Sequence, residues 1–246
     1  SKDKRVSIQD ENFKKMLLSI NDDVRVILIK IADRLHNMMT LDFLGIEKQV
    51  RISSETLFIY APLAHRIGMY NIKTKLEDLS LKFTEPDVYH GIEKKIKESE
   101  NERLKYIKNF SKKLEGHLKT QKILFRTEGR FKSIFSIRKK MQLKNKKFDE
   151  VFDQFAVRII YKSNQKNEKF LAWKIYSIVT DHFQPNPTRL RDWISSPKST
   201  GYEALHITIV GPSGKWIEVQ IRSERMHEIA EKGYAAHFKY KSNSKS

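Results

Sequence analysis

The residues best suited to chemistry lie in the second half of the chain. The segment 215–222, Lys-Trp-Ile-Glu-Val-Gln-Ile-Arg, alternates apolar and polar side chains with period two, the pattern of a strand with one buried face. Ile217, Val219 and Ile221 then face the core, and Trp216, Glu218, Gln220 and Arg222 face away. The segment 205–210 reads likewise, with Leu205, Ile207 and Ile209 inward and His206, Thr208 and Val210 outward. Gly211-Pro212-Ser213-Gly214 between them is a hairpin signal, so His206 and Glu218 can share the polar face. An ordinary solvated sheet face carries the same pattern; what sets this one apart is its company. Gly129 is followed by Arg130, Lys132, Arg138, Lys139 and Lys140. Lys132, Ser136 and Lys140 stand at i, i+4 and i+8 and are expected on one helix face, where a row of cations suits the linear charge of a triphosphate. Arg189, Arg191 and Lys198 form a second basic group beside a Pro/Ser/Gly-rich loop. Asp153 opens a strand-like segment that includes Arg158. Together with Glu218 it gives two carboxylates among phosphate-binding bases, the minimum for a Mg²⁺–nucleotide site. Taken singly, each lysine also reads as solvated surface and Asp153 as a cap.

The elements that must position these groups divide the chain. The 246 residues suit one large domain or two modest ones, at about 150 residues per domain. Apolar residues are 39% of the chain, enough for a core. Residues 1–90 read as helical. Asn21-Asp22-Asp23 offers a cap for a helix starting near Val24, whose stripe runs Val24, Ile27, Leu28, Ile31, Leu35 and Met38, with Gly45 as its stop. Helices follow over 49–64 and 73–81. Residues 88–122 read as one long charged helix or a hairpin with a thin apolar stripe, a connector between two bodies. Beyond it, a helix is expected over 131–142, strands over 152–161, 205–210 and 215–222, and helices over 168–183 and 226–240, an α+β body with a polar tail at 239–246. Lys and Arg number 48 against 30 Asp and Glu, a net charge of +18, which calls for polyanionic partners. The lack of cysteine excludes a disulfide scaffold, a Cys-ligated zinc site and a thiol nucleophile. The most apolar stretch, 24–32, is interrupted by Arg25 and Lys30 and is too short to span a bilayer, so a cytoplasmic location without membrane contact is expected. Neither a Walker loop nor a dinucleotide fingerprint is present, and His227-Glu228-Ile-Ala-Glu231 lacks the second histidine of a zincin.

These same segments resemble a known family. Gly-Arg-Phe-Lys-Ser-Ile at 129–134, Arg-Leu-Arg-Asp-Trp-Ile at 189–194, Pro-Lys-Ser-Thr-Gly-Tyr-Glu-Ala-Leu-His at 197–206, Glu-Val-Gln-Ile-Arg at 218–222 and Gly-Tyr-Ala-Ala-His at 233–237 are similar to the synthetase domain of the RelA/SpoT homologues, the (p)ppGpp enzymes. Ile-Ala-Asp-Arg-Leu-His-Asn-Met at 31–38 and Ala-Pro-Leu-Ala-His-Arg-Ile-Gly at 61–68 resemble the later part of that family's HD-type hydrolase domain and the segment after it. The resemblance implies an α+β chain: a partial hydrolase domain at 1–90, a helical connector at 91–122, and a mixed-sheet, nucleotidyltransferase-like synthetase domain at 123–246. It implies transfer of pyrophosphate from ATP to the 3′-hydroxyl of GDP or GTP. Arg130, Lys132, Ser136, Lys140 and Arg158 would hold ATP phosphates. Asp153 and Glu218 would be catalytic and hold Mg²⁺, with Glu218 also taking the hydroxyl proton. Arg191, Lys198, Tyr202, His206 and Gln220 would bind the acceptor, with Tyr202 stacked on guanine.

This sequence departs from the family at Arg191, where Lys is usual, and at Thr200, where Asn is frequent, which touches one acceptor contact. Of the hydrolase set, only Asp33 and the neighbouring Asn37 match, and Met39 replaces a usual arginine. One carboxylate does not hold Mn²⁺, so no hydrolysis is expected. Asp33 and His36 read as a helix cap or buried polar pair, and the chain as part of a longer protein. The alternative reading is a basic surface that docks on RNA or the ribosome, with little catalysis.

Overall fold

The computed structural model describes residues 24–145, 147–148, 151, 155–212 and 214–233. These divide into two compact units, one of residues up to 66 together with 71–86, the other of 67–70 together with 87 onward.

The first unit is helical. Its elements are α1 (Val24–Met39), α2 (Ile46–Glu55), a π-helical turn (Thr56–Tyr60), α3 (Ala61–Arg66) and α4, which runs Tyr70–Thr84 and so enters the unit at its second residue. Ile27, Ile31, Met38, Leu41, Ala61, Leu63, Leu76 and Leu81 are buried, much as the spacing on α1 predicts. Gly45 does not stop a helix. Its extended backbone makes it the N-cap of α2, because the chain has already left α1 at Met39 and passed through a 3-10 turn, Leu41–Phe43. The capping run at 21–23 lies outside the described residues. Asp33, His36 and Asn37 are all exposed, so Asp33 and His36 are not a buried pair. Asn37 Nδ2 donates to Asp33 Oδ2 at 3.1 Å across one helical turn.

The second unit is built on a five-stranded mixed sheet. Its strands are β1 (Phe125–Phe131), β2 (Phe155–Tyr161), β3 (Arg191–Asp192), β4 (Leu205–Val210) and β5 (Trp216–Ser223), in the order β1-β2-β5-β4-β3. Only β2 and β5 run parallel. The helices are α5 (Pro86–Glu98), α6 (Glu100–Lys119), α7 (Ile134–Lys144), α8 (Glu168–His182) and α9 (Glu224–Lys232).

The charged stretch 88–122 is two helices that meet at Ser99, and its thin stripe is no mere connector. Ile107, Phe110, Leu114 and Leu118 of α6 pack with Ala172, Ile175 and Val179 of α8 on Val157, Ile159, Leu205, Ile207, Ile209, Ile217, Val219 and Ile221 of the sheet. The stripe is thin because a helix laid flat on a sheet buries only the line that touches it. The contact is close: a Cβ on Gly129 of β1 would stand 2.7 Å from Ile107 Cγ2, so only glycine lets α6 approach there. The sequence pattern does not announce that strand, and Phe131 ends it rather than starting a helix. Helix α7 begins at Ile134 under an N-cap in which Ser133 Oγ accepts from the Ser136 backbone N–H at 3.2 Å. Ile137 pins α7 to Ile92 of α5. The closing helix is described to Lys232; its expected extension to residue 240 and the tail lie outside the described residues.

Candidate active site

The sheet's second face carries the charge. Register sets two rungs across it. In one, Arg130 of β1 lies opposite Ala156 of β2, Ala156 beside Glu218 of β5, and Glu218 opposite Thr208 of β4. In the next, Glu128, Arg158, Gln220, His206 and Arg191 follow one another across all five strands. Apolar side chains at the intervening positions hold these strands in the core, so the polar groups are fixed by burial of their neighbours.

Glu218 is the hub. Its Oε1 accepts from Gln220 Nε2 at 2.6 Å and lies 3.7 Å from His206 Nδ1, and its Oε2 is 3.9 Å from Lys132 Nζ. Lys132 stands in the turn between β1 and α7, not on the helix with Ser136 and Lys140, because the strand runs to Phe131 and Ser133 is the cap. The expected single-face row of cations is therefore split between a turn and a helix. Arg158 is buried and its Nη1 lies 3.0 Å from Glu231 Oε1 and 3.8 Å from Glu128 Oε2. Arg222, fully buried, has Nη2 3.5 Å from the same Glu231 oxygen. Burial pushes the Arg222 guanidinium down to about 10, with Arg158 and Arg130 adding to the shift. Burial likewise lowers Arg130, and Arg158 adds to it. Arg130, Arg158 and Arg222 thus crowd together, with Glu231 among them offsetting part of the charge.

Of the residues expected to bind the acceptor, Lys198 and Tyr202 lie on the loop between β3 and β4, while Arg191, His206 and Gln220 lie on β3, β4 and β5. Lys198 N–H donates to the Tyr202 carbonyl at 3.1 Å and Gly201 N–H to the Lys198 carbonyl at 2.8 Å, so 198–202 is one closed turn. The Lys198 ammonium lies over the rings of Trp193, Tyr202 and Tyr70, 4.8, 5.1 and 5.9 Å from their centroids. Tyr202 Oη and His206 Nε2 are hydrogen-bonded at 2.7 Å. Tyr202 as a whole is 8% exposed, and it is a hydrogen-bonded residue as well as a flat surface. Arg191 is exposed on β3, its Nη1 donating to the Leu190 and Thr188 carbonyls at 2.9 and 3.2 Å. Asp153 lies outside the described residues, and Asp33 and Asn37 belong to the other unit. Among the described residues no group of three or more His, Asp or Glu could hold a metal ion, and no helix is long and apolar enough to cross a membrane.

Several participants are not foreseeable from the motifs. Glu231 and His227 sit one turn apart on α9, the His227 Nε2 3.9 Å from Glu128 Oε1. Their spacing resembles an incomplete metal motif in the sequence, whereas it marks a helix face packed on the sheet. Glu203, on the loop between β3 and β4, receives Arg225 Nη2 at 2.7 Å, and the same guanidinium donates to the buried Glu168 at 2.6 Å.

Burial lowers the His206 imidazole from 6.5 to about 4, and the nearby cations Lys198, Arg222 and Lys132 add to this against the opposing pull of Glu218. Between these values the unfolded chain binds the proton and the folded chain does not, so stability is fullest above pH 6.5 and falls as pH drops towards 4. Urea midpoints measured across this window should decline with acidity, and His206→Asn should flatten the decline. An equal slope in the variant would remove His206 as its source.

Arg130, Arg158, Arg222 and Lys132 thus gather with the carboxylates of Glu218, Glu128 and Glu231 on one side of a mixed sheet. The family described as "Region found in RelA / SpoT proteins" matches residues 129–245, and an "HD domain" family matches residues 1–70. The "GTP pyrophosphokinase" of Myxococcus xanthus is 43% identical over 233 residues, 95% of this chain and 30% of that protein. The "Bifunctional (p)ppGpp synthase/hydrolase SpoT" of Escherichia coli K12 is 41% identical over 238 residues, 97% of this chain and 33% of that protein. The chain thus spans about a third of the length of these curated relatives. Among solved structures, the small alarmone synthetase 1 of Bacillus subtilis, bound to its product pppGpp, is 21% identical, with 61% of this chain and 82% of that one covered at a TM-score of 0.39. The chain belongs to the RelA/SpoT family.

Proposed function

We propose that this chain transfers the pyrophosphoryl group of ATP to the 3′-hydroxyl of GDP or GTP, forming ppGpp or pppGpp. The observation that carries this reading is the register that puts Glu218, Arg130, Arg158, Gln220 and His206 on one face of the sheet, with Lys132 3.9 Å from Glu218. Its relatives named for GTP pyrophosphokinase and (p)ppGpp synthase activity support it.

In this reading the 3′-oxygen attacks the β-phosphorus, the bond from that phosphorus to the α–β bridging oxygen breaks, AMP leaves, and the hydroxyl proton goes to Glu218. Such transfer depends on positioning and on neutralising spread negative charge. Arg130, Lys132 and Arg158, with Ser136 and Lys140 of α7, would take the ATP phosphates. Arg191, Lys198, Tyr202, His206 and Gln220 would hold the acceptor. Mg²⁺ is bound elsewhere by one or two carboxylates and substrate phosphates; Glu218, a partly exposed hard oxygen donor, fits that part, and Asp153 would supply the second. Neither the sheet face nor the relatives' names favour an RNA-docking role.

The test is direct. Purified protein incubated with Mg²⁺, ATP and GDP or GTP should yield AMP and a 3′-pyrophosphorylated guanosine nucleotide, resolved by anion exchange. ADP in place of AMP, or no product, would sink the reading.

A further inference from the structure

We propose that Tyr70 is a positioning residue for the guanosine acceptor, a role that rests on the acceptor-loop assignment above. Tyr70 is the first residue of α4 but clusters with the second unit. It touches three neighbouring acceptor-loop positions. Its hydroxyl is hydrogen-bonded to Thr200 Oγ1 at 2.9 Å. Its ring meets that of Tyr202 edge to face at 5.6 Å and 74°. The Lys198 ammonium lies over its face at 5.9 Å.

Its own place is fixed from behind. Gly68 and Gly233, both at positive φ, press backbone to backbone: a Cβ on Gly233 would lie 2.5 Å from the Gly68 carbonyl carbon. The Tyr70 N–H donates to the Gly68 carbonyl at 2.9 Å. Tyr70 is thus delivered at a set height to the closed turn 198–202. Lys198 and Tyr202 are joined through the backbone of that turn, so one support orders both a phosphate-seeking cation and a base-seeking ring. An ordered loop binds its ligand without first losing conformational freedom, and the benefit appears in acceptor affinity.

The experiment uses the whole 246-residue chain with two readouts: binding of N-methylanthraniloyl-GDP followed by fluorescence, and KM for GDP and for ATP measured separately. Tyr70→Ala should weaken acceptor binding about tenfold and raise KM for GDP in step, with KM for ATP within about twofold. Tyr70→Phe and Thr200→Val should each cost less, and together no more than the worse of the two, because they remove the same hydrogen bond. That pair decides the matter if Tyr70→Ala does not fold. Unchanged acceptor binding, an equal rise in both KM values, or additive Phe and Val effects would overturn the role. If the unaltered chain neither binds the probe nor makes product, the proposed function itself falls; product from the unaltered chain with a silent Tyr70 removes this inference alone.

Discussion

Replacing Glu218 with Gln is expected to lower synthesis by at least about 10³-fold while the melting temperature stays put. The carboxylate lies on a strand whose alternate residues, Ile217, Val219 and Ile221, are fully buried, so its backbone position does not depend on its charge. Gln keeps the size and still pairs with Gln220. It removes the basicity needed to take the hydroxyl proton, a loss of about 10²–10⁴ by itself, and it removes an anionic oxygen for a metal ion. The neighbouring Val219 gives the contrast. Val219→Ala should cost about 1–3 kcal/mol of stability through lost core packing, with the folded fraction still active. Retention of most synthesis by Glu218→Gln would reduce the polar face to a solvated surface.

Arg225→Ala should destabilise the protein by about 3–5 kcal/mol. Arg225 Nε and Nη2 donate to Glu168 Oε2 at 2.9 and 2.6 Å, and Nη1 and Nη2 to Glu203 at 3.2 and 2.7 Å. Glu168 is 4% exposed and also accepts from Ser223 Oγ at 2.6 Å. Burial works against the Arg225 charge, but the two glutamates outweigh it and raise its pKa. Without Arg225 the Glu168 carboxylate is left buried without its counter-charge, the costly half of breaking such a pair. Pairing Arg225→Met with Glu168→Gln should recover much of the loss. A urea-derived loss below about 1 kcal/mol for Arg225→Ala would place the bridge in the weak class of exposed pairs.

What could be read from the chain depended on how local the cause was. The hairpin of β4 and β5 was legible, faces included, because period-two alternation is written residue by residue. β1 was not. Its Phe-Arg-Thr-Glu-Gly-Arg-Phe run puts a glycine where α6 presses down and charges on the other face, so no apolar alternation announces it. The burial of α6 is hidden in the sequence for a related reason: a helix on a sheet needs only Ile107, Phe110, Leu114 and Leu118. Of the motif residues, His206, Glu218 and Gln220 share the polar face that the alternation implies, whereas Lys132 lies in a turn and not on the helix expected for it. The pairings of Glu231 with Arg158, of Glu203 and Glu168 with Arg225, and of Tyr70 with Thr200 are not legible, because the partners lie far apart in sequence and only the fold brings them together.

The polar rung of Glu128, Arg158, Gln220, His206 and Arg191 crosses every strand of the sheet. With neighbouring strands about 4.8 Å apart, it measures about 19 Å from edge to edge. The sheet is therefore a ruler: the polar groups that this rung carries stand a whole number of strand spacings apart. Loops around it can lengthen or shorten without altering that distance. A single residue inserted within β5 would turn Glu218 and Gln220 into the core and bring Val219 out in their stead, so the strand interiors can accept changes of side chain but not of length.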